Sequence, residues 1–151
     1  MYMLAGDQPY EGHDPAIVLL LLLAGAIATP WLFICGVRLA LRARAVRSTT
    51  AAIRAVATLA GGATVCMYTW GVLHLLFFDD ADQAAACNAV VGKGRLTGYA
   101  PSFAPLHFGC RSNDGRTVEA VIPSYLNPSV IMLASCAVAL TVIAVIRAKE
   151  D

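Results

Sequence analysis

The chain has 151 residues, of which 58% are hydrophobic and 14% charged, and its mean hydropathy is +0.66. Those values lie outside the range of an ordinary soluble domain. A net charge of +1 also lacks the basic character that nucleic-acid binding demands, so no nucleic acid is expected among its partners.

Three apolar runs, residues 15–37, 55–78 and 128–146, contain no ionised side chain. Each is close to the roughly 20 residues that a helix needs to cross a bilayer. The predicted fold class is therefore an all-α membrane protein. It is a bundle of three transmembrane helices with a small, disulfide-stapled β-hairpin domain in the extracytoplasmic loop. Arg outnumbers Lys nine to two and Ala is abundant, the bias of a GC-rich bacterial genome.

The N-terminal tail, residues 1–14, carries Asp7, Glu11 and Asp14 and no Lys or Arg. A cleaved signal peptide has the opposite order, with basic residues ahead of its apolar core. The first run thus reads as an uncleaved anchor whose N-terminus lies outside. Within it, Ala24, Gly25, Ala26 and Ala28 offer a smooth packing face, and Pro30 removes one backbone donor.

Residues 38–54 hold Arg38, Arg42, Arg44, Arg47 and Arg54 and no acid. By the positive-inside rule this loop faces the cytoplasm. Its spacing of Leu, Ala and Arg is strongly helical. The expectation is a helical hairpin arm that turns near Ser48-Thr49-Thr50. Arg38, Arg42, Arg44 and Arg47 are candidate ligands for anionic lipid headgroups. The simpler account is that they only set orientation.

The second span, 55–78, places Ala57 and Gly61 four residues apart, with Tyr68 and Trp70 toward its outer end. Small residues at that spacing let helices approach closely, and the aromatics suit the membrane interface. His74 is the one titratable side chain at membrane depth. With Asp79 and Asp80 it could form an oxygen- and imidazole-rich cation site, although the spacing matches no metal signature. An interfacial imidazole bonded to the outer loop is the plainer reading.

Residues 79–127 form the long outer loop, expected to be an extracytoplasmic cap. Cys87 and Cys110 both lie in it, while Cys35, Cys66 and Cys136 fall one in each span. An oxidising compartment would pair the first two, and the lipid-buried three behave as small apolar residues. The segment 79–87 suits a short helix or turn. Residues 90–99 read as a glycine-punctuated strand or loop, with a strand near Val90. Leu106–Arg111 and Arg116–Ile122 alternate on either side of Asp114-Gly115, a hairpin signature. Leu106, Phe108 and Cys110 would share one face. Lys93, Arg95, Tyr99, Phe103, His107, Arg111 and Arg116 are the side chains expected to be exposed. Of these, Lys93, Arg95, Tyr99, Phe103, Arg111 and Arg116 form the candidate partner-binding set, since Tyr, Phe and Arg are enriched in interfaces.

Asn127 and Pro128 are expected to open the third span, 128–146, as cap and first helical residue. Ser135/Ala139 and Ala137/Thr141 give it small-residue faces. The tail, 147–151, begins with Arg147 and Lys149 and is placed inside.

No paired carboxylates sit in a span, and no Ser-His-Asp set or metal motif can be assembled, so a non-enzymatic role is favoured and no cofactor is expected. The leading expectation is an accessory, assembly or regulatory subunit of a larger cell-envelope complex in the inner or plasma membrane. Its partners would be the lipid bilayer and other membrane or extracytoplasmic proteins, and the helix faces also allow a homo-oligomer. The alternatives are a homo-oligomeric channel, transporter or immunity-type protein, or a redox or metal-binding protein that uses His74.

Overall fold

The computed structural model describes residues 13–77 and 80–150. Most of the N-terminal tail, and Asp79 of the candidate cation site, lie outside the described residues. The elements run α1 (Pro15–Val46), α2 (Thr49–Phe77), α3 (Asp80–Val91), β1 (Leu96–Phe103), β2 (Leu106–Ser112), β3 (Thr117–Glu119) and α4 (Leu126–Glu150). They fall into two compact units. One holds Leu19–Val72 with the chain from Ser124 onward, and the other holds the described residues up to Val18 with Leu73–Pro123.

The first unit is built from α1, α2 and α4, the three helices long and apolar enough to cross a membrane. Their outward faces carry large aliphatic side chains, with Leu20 66% exposed, Ile27 71% and Met132 72%. Such a surface would be an aggregation liability in water and is ordinary in hydrocarbon. Inside, contact is made by small residues. Gly25 lies against the side chain of Thr69, and a β-carbon at Gly36 would come within 2.6 Å of Leu59. Gly62 meets Leu32 and Phe33. Of the two adjacent glycines of α2, Gly62 is therefore the one that faces α1, while Gly61 looks into open space.

Local signals explain the helix ends. Asp14 caps α1: its Oδ1 accepts from Ala16 N–H at 2.9 Å, and Pro15 fills a position where no N–H is needed. At the other end Arg47 takes a left-handed conformation, with φ 50°, and Ser48 N–H donates to the Ala43 carbonyl at 3.2 Å. This is the six-to-one closure that ends many helices. The Ser48 hydroxyl then accepts from Ala51 N–H and starts α2. The helical hairpin arm is thus present, with its turn at Arg47-Ser48. At about 1.5 Å per residue, the 32 residues of α1 are longer than a roughly 30 Å hydrocarbon core requires.

In α4 the first helical residue is Leu126, not Pro128, and Ser129 N–H bonds the Tyr125 carbonyl at 3.1 Å. Tyr125 therefore occupies the position expected of Asn127. Pro128 still fits, because first-turn N–H groups have no partner within the helix.

The second unit is an antiparallel sheet in the order β1-β2-β3, braced by α3. The expected hairpin is its β2–β3 half, and β1 adds a third strand. Residues 90 and 91 are helical rather than extended, because α3 runs from Asp80 through Val91 before Gly92 turns the chain. β1 contains Pro101, which is tolerated because β1 is an edge strand. Cys87 of α3 is bonded to Cys110 of β2, with 5.5 Å between the Cα atoms. Leu106, Phe108, Cys110 and Cys87 are fully buried and form the centre of this small core.

Candidate functional site

The register of the sheet sorts its side chains. Tyr99 lies opposite Cys110, Pro101 opposite Phe108, Phe103 opposite Leu106, and Val118 opposite Cys110. These residues share one face, which is covered except at the exposed Pro101. The other face of β2 and β3 presents His107, Gly109, Arg111, Thr117 and Glu119. Gly109 is required there, because the Thr117 methyl and the Ala100 carbonyl occupy the space that a β-carbon would need.

Tyr99 and Phe103 do not belong to an exposed surface. Both are half-buried, and their rings pack inward. Tyr99 lies 5.1 Å from Phe108 between ring centroids, and Phe103 meets the His13 ring edge-on at 4.6 Å. The alternation of β1 with β2 sends them to the covered side.

The four cations behave differently. Lys93, Arg95, Arg111 and Arg116 are all exposed. Main-chain bonds bring the arginines to one end of the sheet. The Arg95 carbonyl accepts from Asn113 N–H at 2.9 Å, and the Arg116 carbonyl accepts from Ser112 N–H at 2.8 Å. Arg111 pairs with Thr117 in β3 and Gly98 in β1. Lys93 precedes Arg95 in the turn where Gly92 and Gly94 both have positive φ. Asp114, in the β2–β3 turn, is the acid that accompanies them.

At the opposite end of β2 lies a polar cluster. His107 Nδ1 is 2.5 Å from Glu119 Oε2, and Glu119 Oε1 accepts from Phe108 N–H at 2.9 Å. β3 stops at Glu119, so its carboxylate supplies the acceptor that a longer strand would have given. His13 Nε2 contacts the Ser102 carbonyl at 3.1 Å, and its Nδ1 is buried without a partner. A neutral ring that donates from Nε2 leaves Nδ1 as a bare acceptor. Burial pushes the His13 pKa below its ordinary value, against the Ser102 bond and the Glu119 charge, which both raise it.

His74 sits half-buried in the last turn of α2. Asp80 opens α3. Among the described residues no three His, Cys, Asp or Glu side chains are grouped so as to hold a metal ion. Arg38, Arg42, Arg44 and Arg47 are exposed along the basic end of α1 and its turn. Of the thiols outside the disulfide, Cys66 and Cys136 are exposed and Cys35 is half-buried.

Sequence reasoning missed two participants. Glu119 was legible in principle, since the hairpin register places it beside His107. His13 was not, because its partner Ser102 is 89 residues away and a lone histidine in a tail carries no pattern.

No family model, curated protein or solved structure matches the chain.

Proposed function

We propose that this protein is a non-enzymatic accessory, assembly or regulatory subunit of a cell-envelope complex. Its sheet unit faces the outside of the inner or plasma membrane and docks on an acidic surface of a partner protein. One observation carries the reading: Lys93, Arg95, Arg111 and Arg116 are all exposed, and main-chain bonds gather the three arginines at one end of a sheet braced by the Cys87–Cys110 bond. A surface fixed before the encounter loses less conformational entropy on binding. Clustered cations favour an acidic partner by steering and by specificity. The disulfide calls for an oxidising compartment, which is the side opposite the arginine-rich turn.

Affinity purification from native membranes in mild detergent tests this. A partner should co-purify at stoichiometric level and should dissociate as salt is raised, because exposed charges are screened. The triple substitution Arg95→Glu, Arg111→Glu, Arg116→Glu should abolish its recovery. Wild-type protein running alone, or a partner that the triple variant retains, would count decisively against the proposal.

A further inference from the structure

Within the helical unit, α1, α2 and α4 leave a groove of about 680 Å³ between them. Its wall is apolar: Leu32 and Leu39 come from α1, and Val138 and Val145 from α4. Two threonines also line it, but neither offers a free hydroxyl proton. Thr58 donates to the Arg54 carbonyl at 2.8 Å and Thr141 to the Ala137 carbonyl at 2.7 Å. Gly61 opens on it with nothing within 4 Å of where a β-carbon would stand.

Arg54 is the exception at one end. It is exposed and has no ion-pair partner among the described residues. All three helices bring their basic ends to that same end, since Leu39 follows Arg38 and Val145 precedes Arg147. From Arg54 to Gly61 the groove runs seven residues along α2, about 10 Å at 1.5 Å per residue. One leaflet of a roughly 30 Å hydrocarbon core is about 15 Å deep.

We infer that this groove binds one anionic phospholipid, with an acyl chain along the slot and the phosphate against Arg54. The depth fits a chain from a single leaflet, whereas a transmembrane helix would need contact across both. Charge argues the same way. The groove's own lining holds no acid to pair with Arg54, and Glu150, further along α4, lines a separate pocket with Ser48, Thr49 and Thr50. A phosphate at the headgroup level supplies the missing anion. The volume also lies in the range of ordinary ligand sites.

The test is native mass spectrometry of delipidated full-length protein, titrated with phosphatidylglycerol or phosphatidylcholine of identical chains. Wild type should prefer phosphatidylglycerol about fivefold, the factor equivalent to about 1 kcal/mol for one arginine at an anionic surface. Arg54→Gln should bring the ratio to near unity and leave phosphatidylcholine binding unchanged, while Arg54→Lys should retain most of the preference. Gly61→Leu places its side chain in open space, so it should weaken binding of both lipids without parting the helices. Helicity and an intact Cys87–Cys110 bond check that each variant is folded. Equal affinities in wild type, a preference that survives Arg54→Gln, or unchanged binding in Gly61→Leu would each overturn the inference. Loss of the preference on adding inorganic phosphate would reassign Arg54 to free anions and overturn it too. Gly61→Cys is made with Cys35, Cys66 and Cys136 replaced. Efficient disulfide dimers of that variant in membranes would place a second copy in the groove instead.

Discussion

At the residue scale, the polar cluster of the sheet turns on two side chains. Glu119 answers for a main-chain donor that lies past the end of β3, so removing its carboxylate leaves Phe108 N–H unpaired. Glu119→Ala should destabilise the sheet by about 1–3 kcal/mol, and Glu119→Gln by less, because the amide oxygen still accepts. Hydrogen exchange at the Phe108 amide reads both. His13 gives a pH dependence. Burial depresses its pKa in the docked state, so the undocked chain binds more protons in the window below the ordinary value of 6.5. The docking contribution of His13 is therefore fully present above 6.5 and is lost as pH falls below it toward the depressed value. Exchange protection around Ser102 and Phe103, corrected for intrinsic rates, should fall between about pH 8 and about pH 5 in wild type. In His13→Phe it should stay flat.

At the element scale, the sheet and the helices are held by different means. The sheet has three short strands and a core of few side chains, at the lower edge of what is independently stable. Replacing Cys87 and Cys110 with Ser should cost this unit about 3 kcal/mol by the chain-entropy account. Protease sensitivity should then appear within Leu73–Pro123, while helical circular dichroism in detergent stays largely intact. The α1–α2 pair depends instead on close approach. Gly36→Leu must displace Leu59 and should destabilise the pair by about 1–3 kcal/mol, read as a lower thermal midpoint in detergent. Gly61→Leu, only twenty-five positions on, should leave that midpoint nearly unchanged. Glycine spacing alone does not separate the two positions. The azimuth of each around its helix does.

At the scale of the whole molecule, the proposed orientation sets which surface meets which compartment. Cysteines introduced at Thr49 and at Asn113, in a background lacking Cys35, Cys66 and Cys136, distinguish the two sides. Position 113 should react with an impermeant reagent in intact cells, and position 49 only after permeabilisation. The reverse pattern would overturn the orientation and with it the proposed docking face. The same experiment bears on the disulfide, because a reducing cytoplasm would not keep Cys87 and Cys110 joined.

The three long helices, the turn between the first two, the cysteine pair and the β2–β3 hairpin were all legible in the chain itself. Each rests on local or compositional physics: apolar length against bilayer thickness, helix-forming Arg and Ala, turn chemistry at Asp114-Gly115, and thiols outside the spans. The tertiary structure alone decided what depends on register and on distant partners. It turned Tyr99 and Phe103 inward because β1 pairs with β2, and it extended α3 over Val90. It carried His13 across 89 residues of chain to Ser102. It also set Gly62 against α1 while leaving Gly61 on an open groove. Neighbouring residues on a helix diverge by about 100°, and only the packed neighbours say which of them is covered.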